Sequence, residues 1–299
     1  MTESRRVVVT GGAGFIGVHT VEALLGAGCA VLVIDDFSHA SDRELPSACE
    51  LGVHDVCSEQ ARDAVIAFGP ATVLHLAAQG GVNRSWRDPA ADARINVQGT
   101  VSMLEAARSG GCARVVIASS GGALYGAAAS LPAAEDTRAQ PRSPYGAAKW
   151  AAEQYLGYFA RTGAFTAVAL RYGNVYGPGQ DGTGEAGVVA ITSVRLARGL
   201  TPVVRGDGEQ TRDFVHVHDV ARANVAAVLG DATGALNIGT GRDTSVTRVV
   251  SALCAAAGFT GAPEHADLPQ GEVRRSCLDV TRAWSLLRWE ASVALETGL

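Results

Sequence analysis

The chain has 299 residues, enough for one large α/β unit with a smaller appended lobe, and it is 47% hydrophobic with a net charge of −5. No apolar run approaches the roughly 20 residues of a membrane-spanning helix, and no Lys/Arg cluster makes the positive stripe that nucleic-acid binding needs, so neither a membrane nor a nucleic acid is expected as a partner. The six cysteines (Cys29, Cys49, Cys57, Cys112, Cys254, Cys277) show no zinc or disulfide spacing, and "MTESRRVVVT" runs into a β-like segment without the apolar stretch of a secretory signal, so the expected location is cytoplasmic.

In chain order, short β-branched runs at 5–10, 30–34, 71–76, 113–119 and 164–171 alternate with amphipathic stretches of helical length at 15–27, 58–68, 90–109 and 143–161. Near-continuous apolar strands separated by helices predict an α/β fold with a doubly wound parallel sheet. Beyond residue 175 the alternation breaks into a Gly-rich loop (177–187), a helix (188–199) and a short strand (202–205). Residues 211–229 read as strand then helix with Asp219 as N-cap, followed by a strand at 235–238 and helices near 245–257 and 279–287.

Directly after the first strand, "GGAGFIG" sets Gly11, Gly14 and Gly17 three residues apart, with Phe15 and Ile16 between the last two, at the start of a helix. Glycines there permit a tight turn and close approach of a pyrophosphate to the helix N-terminus. Asp35, followed by Asp36, ends the second strand 18 residues after Gly17. A carboxylate at that place accepts hydrogen bonds from the adenosine ribose and repels a 2′-phosphate, which predicts NAD rather than NADP.

Of the 25 basic residues, 24 are arginine, and the one lysine, Lys149, stands four residues after Tyr145 in "SPYGAAKWAAEQY". On a helix this spacing projects both side chains from one face. An ammonium near a phenol stabilises the phenolate and lowers the tyrosine pKa, making a usable general base. His216 and His218 beside Asp219 have no further ligand cluster around them, so no metal is expected.

Together, "TGGAGFIG", "HLAAQ" (75–79), "SSGGALYG" (119–126), "SPYGAAK" (143–149), "LRYGNVYGPGQ" (170–180) and "QTRDFVHVHDVA" (210–221) resemble the extended short-chain dehydrogenases, in particular the nucleotide-sugar 4-epimerases of the UDP-glucose type. The resemblance implies a Rossmann fold, bound NAD, a nucleotide-sugar substrate such as a UDP-hexose, and a homodimer. It divides the chain into a NAD-binding domain (1–175 plus 212–244) and a smaller C-terminal α/β substrate-binding lobe (176–211 plus 245–299). Tyr145 would take the proton of the sugar 4-hydroxyl, with Lys149 beside it. Along the cofactor the resemblance sets Asp55, Val56, Leu76, Ala77, Ala78, Gln79, Asn96, Ser119 and Tyr172. Around the substrate it sets Gln79, Ser120, Gly121, Asn174, Gly187, Val188, Arg212, Arg274 and Ser276.

Several positions depart from the family pattern. The serine or threonine four residues before the tyrosine of "YG" is Gly121 here, leaving Ser120, Ser119 or a water to take its role. Gly122 and Ala123 occupy the positions where nucleotide-sugar dehydratases carry an acid and a base, which disfavours dehydration. Pro269 replaces a frequent arginine, so Arg274 or Arg275 would supply that phosphate contact, and Ser276 replaces a bulky tyrosine, which would leave room for an N-acetyl group. A 4-keto-sugar reductase and a non-catalytic NAD-binding protein remain as alternatives.

Overall fold

The computed structural model describes residues 4–41, 43–128, 130–183, 187–268 and 273–299. Its first part runs β1 (Arg6–Thr10), α1 (Phe15–Gly26), β2 (Ala30–Asp35), β3 (Glu50–Val53), α2 (Glu59–Phe68), β4 (Thr72–His75), α3 (Val82–Arg87) and α4 (Pro89–Ala93). A π-helical turn (Arg94–Gly99) leads to α5 (Thr100–Ser109), β5 (Arg114–Ser120), α6 (Gly121–Leu124), α7 (Pro144–Arg161) and β6 (Thr166–Tyr172). Next come β7 (Asn174–Tyr176), α8 (Val188–Ala197), β8 (Val203–Arg205), β9 (Thr211–His216), α9 (Val217–Leu229) and β10 (Gly234–Ile238). β11 (Asp243–Ser245), α10 (Val246–Ala256), β12 (Glu264–Ala266), α11 (Thr281–Leu287) and α12 (Leu295–Gly298) end the chain.

The central sheet has the order β10-β6-β5-β4-β1-β2-β3, and every neighbouring pair is parallel. This is the doubly wound Rossmann-type sheet that the strand–helix alternation predicts. Its inner strands are near-continuously apolar because both faces are covered. Val7 and Val9 point to the layer that holds Val21 and Leu24 of α1 and Val220 and Ala223 of α9. Val8 points to the opposite layer, with Val65 of α2, Met103 of α5 and Leu156 of α7. Each such fully buried aliphatic side chain contributes about 1.5–3 kcal/mol. Strand order reverses between β1 and β4, so the loops after these two strands diverge and leave a crevice at their carboxyl ends, where sheets of this kind bind ligands.

The structure adds the short elements α3, β7, β11, β12 and α12 to the sequence reading and differs from it in three further features. β3 has no counterpart in the apolar pattern: its residues ELGV lie on the outer edge, mostly exposed, and are held by the ladder to β2. The helix expected over 90–109 is broken into α4, the π turn and α5, with the Asp88 carboxylate accepting the Ala91 N–H at 2.9 Å to start α4. Asp219 does not cap α9. His216 is the N-cap, and Asp219, 1% exposed, accepts the N–H groups of Ser292 and Val293 at 3.0 and 2.9 Å, because those N–H groups of the C-terminal segment have to be satisfied.

Beyond the large sheet, β7 pairs parallel with β9, and β9 antiparallel with β11, while β12 pairs with β8. Both ends of the 212–244 segment therefore pair outside the large sheet, whereas α9 packs on it and β10 is its outermost strand. Asp213, fully buried, ties β9 to the next turn and to the C-terminal region by accepting from the N–H groups of Thr240, Gly241 and Leu278. Among the described residues no helix is long and apolar enough to cross a membrane.

Candidate active site

The crevice between the loops after β1 and β4 is lined by Gly11, Gly14, Asp35, Asp36, Asp55, Val56, Leu76, Ala77, Ala78 and Gln79. Each motif glycine has its own reason. Gly11 has φ +70°, and a Cβ there would lie 2.5 Å from the Ala77 nitrogen, so the turn after β1 seats directly on the chain leaving β4. A Cβ on Gly17 would lie 2.1 Å from the Gly11 carbonyl oxygen. At Gly14 the nearest atom would be 3.3 Å away, and this residue begins α1 without a side-chain cap. The helix start is thus left to an anionic ligand, with half-buried Phe15 and Ile16 in its first turn.

Asp35 is 8% exposed and accepts the N–H groups of Ala13 and Phe37 at 2.9 and 2.8 Å. Burial pushes its carboxyl up, against these two donors. Asp36 is turned outward and accepts from Ser38. Asp55 accepts the Cys57 N–H and pairs with Arg94; although burial opposes them, these partners hold its carboxyl below the usual range. Arg94, Arg84, His39 and His54 also line the crevice, and no sequence pattern marked them. The open helix start and the buried carboxylate at the end of β2 fit a dinucleotide of the NAD type.

Tyr145 and Lys149 stand on the first two turns of α7, which is capped by Ser143 and begins with Pro144. Lys149 is buried; its Nζ lies 5.9 Å from the Tyr145 ring centre and donates to the Ala118 carbonyl at 3.1 Å. Burial brings the ammonium down to about 8, while Asp92 and Glu153 pull it back up. For Tyr145 the outcome differs from the sequence expectation. Burial pushes the phenol up to about 12, a hydrogen bond with Ser120 works the other way, and the charge of Asp92 adds to the rise. Desolvation outweighs the help from Ser120, and Lys149 is not among the groups that lower the phenol.

The two serines at the end of β5 separate. Ser120 stands close enough to Tyr145 to ease its phenol down, whereas the Ser119 hydroxyl donates to the Glu153 carboxylate. Glu153 is in turn bound by Arg171 through Nε and Nη2, and the Arg171 Nη1 donates to the Tyr125 hydroxyl. Gly121 has no room for the family's serine: a Cβ there would lie 2.6 and 2.8 Å from the Cδ atoms of Leu278.

Other expected cofactor contacts are occupied within the protein. The Tyr172 hydroxyl donates to Asn224 at 2.6 Å. Asn96 and Gln79 clasp each other, the Gln79 N–H donating to Asn96 Oδ1 and Asn96 Nδ2 donating to the Gln79 carbonyl, both at 3.0 Å. The Gln79 amide nitrogen donates to Asp92 Oδ1 and the Gly81 carbonyl. Asn96 and Gln79 thereby shape the loop after β4 that lines the crevice.

On the substrate side, Asn174 faces Gly122, where an added Cβ would lie 3.4 Å from its Oδ1. Gly187 and Val188 begin α8. Arg212 lies on β9 and donates to the Thr211 carbonyl at 2.7 Å. Arg274 grips Asp207 with both terminal nitrogens, and Arg275 pairs with Asp243, so neither points to a phosphate site without exchanging partners. Ser276 is 8% exposed, its N–H donating to the Thr211 carbonyl. Pro269 lies outside the described residues.

Fold and site define a dinucleotide-binding α/β protein with a Ser-Tyr-Lys cluster at the carboxyl edge of its sheet. The model of the NAD dependent epimerase/dehydratase family matches residues 7–239. A UDP-glucose 4-epimerase of Mycolicibacterium smegmatis is 42% identical over 301 residues, covering 98% of this chain and 96% of that protein. The crystal structure of UDP-glucose 4-epimerase from Thermotoga maritima with UDP-glucose is similar with a TM-score of 0.95 and 41% identity, covering 98% of this chain and 96% of that one. The Thermus thermophilus UDP-glucose 4-epimerase complex with NAD has a TM-score of 0.91 and 39% identity, with the same coverage. This chain belongs to the NAD-dependent epimerase/dehydratase family, and it is an NAD-dependent enzyme.

Proposed function

We propose that the enzyme inverts C4 of a nucleotide sugar of the UDP-glucose/UDP-galactose type through a transient 4-keto sugar. The observation that carries this reading is the meeting of Ser120, Tyr145 and Lys149 beside the dinucleotide crevice, with Gly122 and Ala123 offering no acid or base for dehydration. Gly14 and the first turn of α1 receive the pyrophosphate, and Asp35 takes the adenosine ribose hydroxyls. Lys149 spends one donor on the Ala118 carbonyl, and its others would hold the second ribose of NAD. Tyr145 removes the 4-hydroxyl proton through Ser120 and returns it after the sugar has turned over. Held near 12 by burial, the phenol needs positive charge close to its oxygen to act as a base. Lys149, protonated at neutral pH, is one source, and bound NAD supplies another together with a reversible hydride acceptor at C4.

Asn174, Gly187, Val188 and Arg212 are assigned to the nucleotide, Arg212 because a guanidinium binds phosphate oxygens in bidentate fashion. The division of labour follows the same reading: residues 1–175 with 212–244 bind NAD, and 176–211 with 245–299 bind the sugar nucleotide, with Asn174 and Arg212 of the first unit reaching it from the border. Exposed Tyr155 and Tyr158 on α7 support a dimer built through the helices of the sheet domain, and free, scattered cysteines support a cytoplasmic location. The test is incubation of purified protein with UDP-glucose, UDP-GlcNAc or UDP-glucuronate, without added cofactor, with products followed by NMR. C4 inversion is expected. Its absence for all three overturns the reading, and consumption of added NADH or NADPH with a 4-keto sugar would replace it by a reductase. Tyr145→Phe should abolish turnover and keep nucleotide binding.

A further inference from the structure

Asp92, on α4, belongs to none of the motifs that carry the family resemblance, yet it is 1% exposed. Its carboxylate is unevenly satisfied. Oδ1 accepts from Gln79 Nε2 at 2.7 Å and from Asn96 Nδ2 at 3.0 Å, whereas Oδ2, also shut off from solvent, has no hydrogen-bond partner. A buried carboxylate with a bare oxygen is expensive to keep unless a positive charge faces it.

α4 packs on α7, the helix that carries the chain's one lysine. Asp92 and Glu153 are the two anions acting on that ammonium. They are not equivalent, because Glu153 is already neutralised by Arg171 and bonded by Ser119. Burial pushes the Asp92 carboxyl up, Gln79 and Asn96 work against it through their hydrogen bonds, and Lys149 is the cation that adds its charge to theirs. We propose that Asp92 is the counter-ion of Lys149, a positioning residue whose charge keeps the buried ammonium protonated through the neutral pH range.

The other groups around the pair fit this assignment. His75 on β4 is buried between Thr10 and Thr100, and burial with the charge of Lys149 drives it down to about 3, so it stays neutral. Arg84 and Arg87 of α3 and Arg94 of the π turn are exposed, and Arg94 is paired with Asp55. Tyr145 on α7 feels Asp92 in the opposite sense, since the carboxylate opposes the tyrosinate. Removing the charge therefore moves both the lysine and the tyrosine titrations to lower pH. This catalytic consequence rests on the reading of Tyr145 and Lys149 given above.

A single lysine makes the test direct. Full-length protein with NAD bound, labelled with [13Cε]lysine and carrying no lysine in a tag, gives one side-chain resonance whose pH midpoint is that of Lys149. Asp92→Asn should lower the midpoint by about one pH unit. Asp92→Glu, which keeps the charge but disturbs the bonds to Gln79 and Asn96, should return it toward the wild-type value. Asp92→Ser serves if the amide is not tolerated in the fold. In the epimerisation assay both limbs of the pH profile should move to lower pH in Asp92→Asn, whereas a packing role would lower activity and leave the limbs in place. An unchanged lysine midpoint in a folded, uncharged variant overturns the proposal. A shifted midpoint in a protein that epimerises no sugar would leave the counter-ion standing and sink the catalytic reading instead.

Discussion

One added methyl group tests why position 121 carries a glycine. In Gly121→Ala the new Cβ would sit 2.6 and 2.8 Å from the Leu278 Cδ atoms and 3.3 Å from the Arg171 carbonyl oxygen. Carbon atoms pack at about 3.5–4.0 Å, so the overlap with Leu278 is about 1 Å. Leu278 is fully buried and packed with Tyr125 and Ala133, so its side chain can give way only within the core. Such overpacking is expected to cost about 1–3 kcal/mol. Leu278→Ala alone opens a cavity and should cost about 2–5 kcal/mol. In the double variant the methyl added at position 121 enters part of that cavity, so the combined loss should fall short of the sum by about 1 kcal/mol or more. Denaturant unfolding measures all four proteins, with a constant m-value required for the comparison. A Gly121→Ala protein as stable as the wild type, or strictly additive losses, would refute the reasoning. Gly121→Ser should likewise fail to raise turnover, since Ser120 already stands beside Tyr145.

The adjacent serines should separate in kinetics: Ser120→Ala is expected to lose about 100-fold or more in kcat, while Ser119→Ala should keep the chemistry and lose about 1–3 kcal/mol of stability. Glu153→Ala leaves the Arg171 guanidinium, whose side chain is 5% exposed, without its carboxylate, and unfolding should become easier by about 3–5 kcal/mol; a change below about 1 kcal/mol by the same criterion would refute the buried pair. Because burial brings Lys149 down to about 8, its charge is lost as pH rises through that value, well before an ordinary lysine would lose it. NAD affinity of the cofactor-free protein should fall over the same range by calorimetry, and affinity that stays flat to about pH 10 would contradict this. The small Ser276 should allow turnover of UDP-GlcNAc; good turnover of UDP-glucose with none of the N-acetyl sugar would dismiss the size argument.

Much of this molecule can be read from local patterns. β1 reveals itself because both its faces are buried, so Val7, Val8 and Val9 are all apolar. The glycine turn is legible because backbone geometry at Gly11 and Gly17 excludes side chains. Tyr145 and Lys149 are legible as neighbours because helical spacing fixes that relation wherever the helix goes. β3 left no such mark, since an exposed edge strand has no apolar pattern to keep.

Hydrogen-bond partners distant in sequence escape this kind of reading. Ser119 and Ser120 are chemically identical and adjacent, yet one serves Glu153 and the other Tyr145, because successive residues at a strand end face opposite sides. Tyr172 turns to Asn224, Gln79 to Asn96 and Asp92, and Asp219 to residues 292–293. Residue type and periodicity act over a few positions and are written in the chain. Partnership and desolvation depend on segments that meet only after folding, so the displaced serine, the raised tyrosine and the carboxylate facing the lone lysine had to wait for the packed molecule.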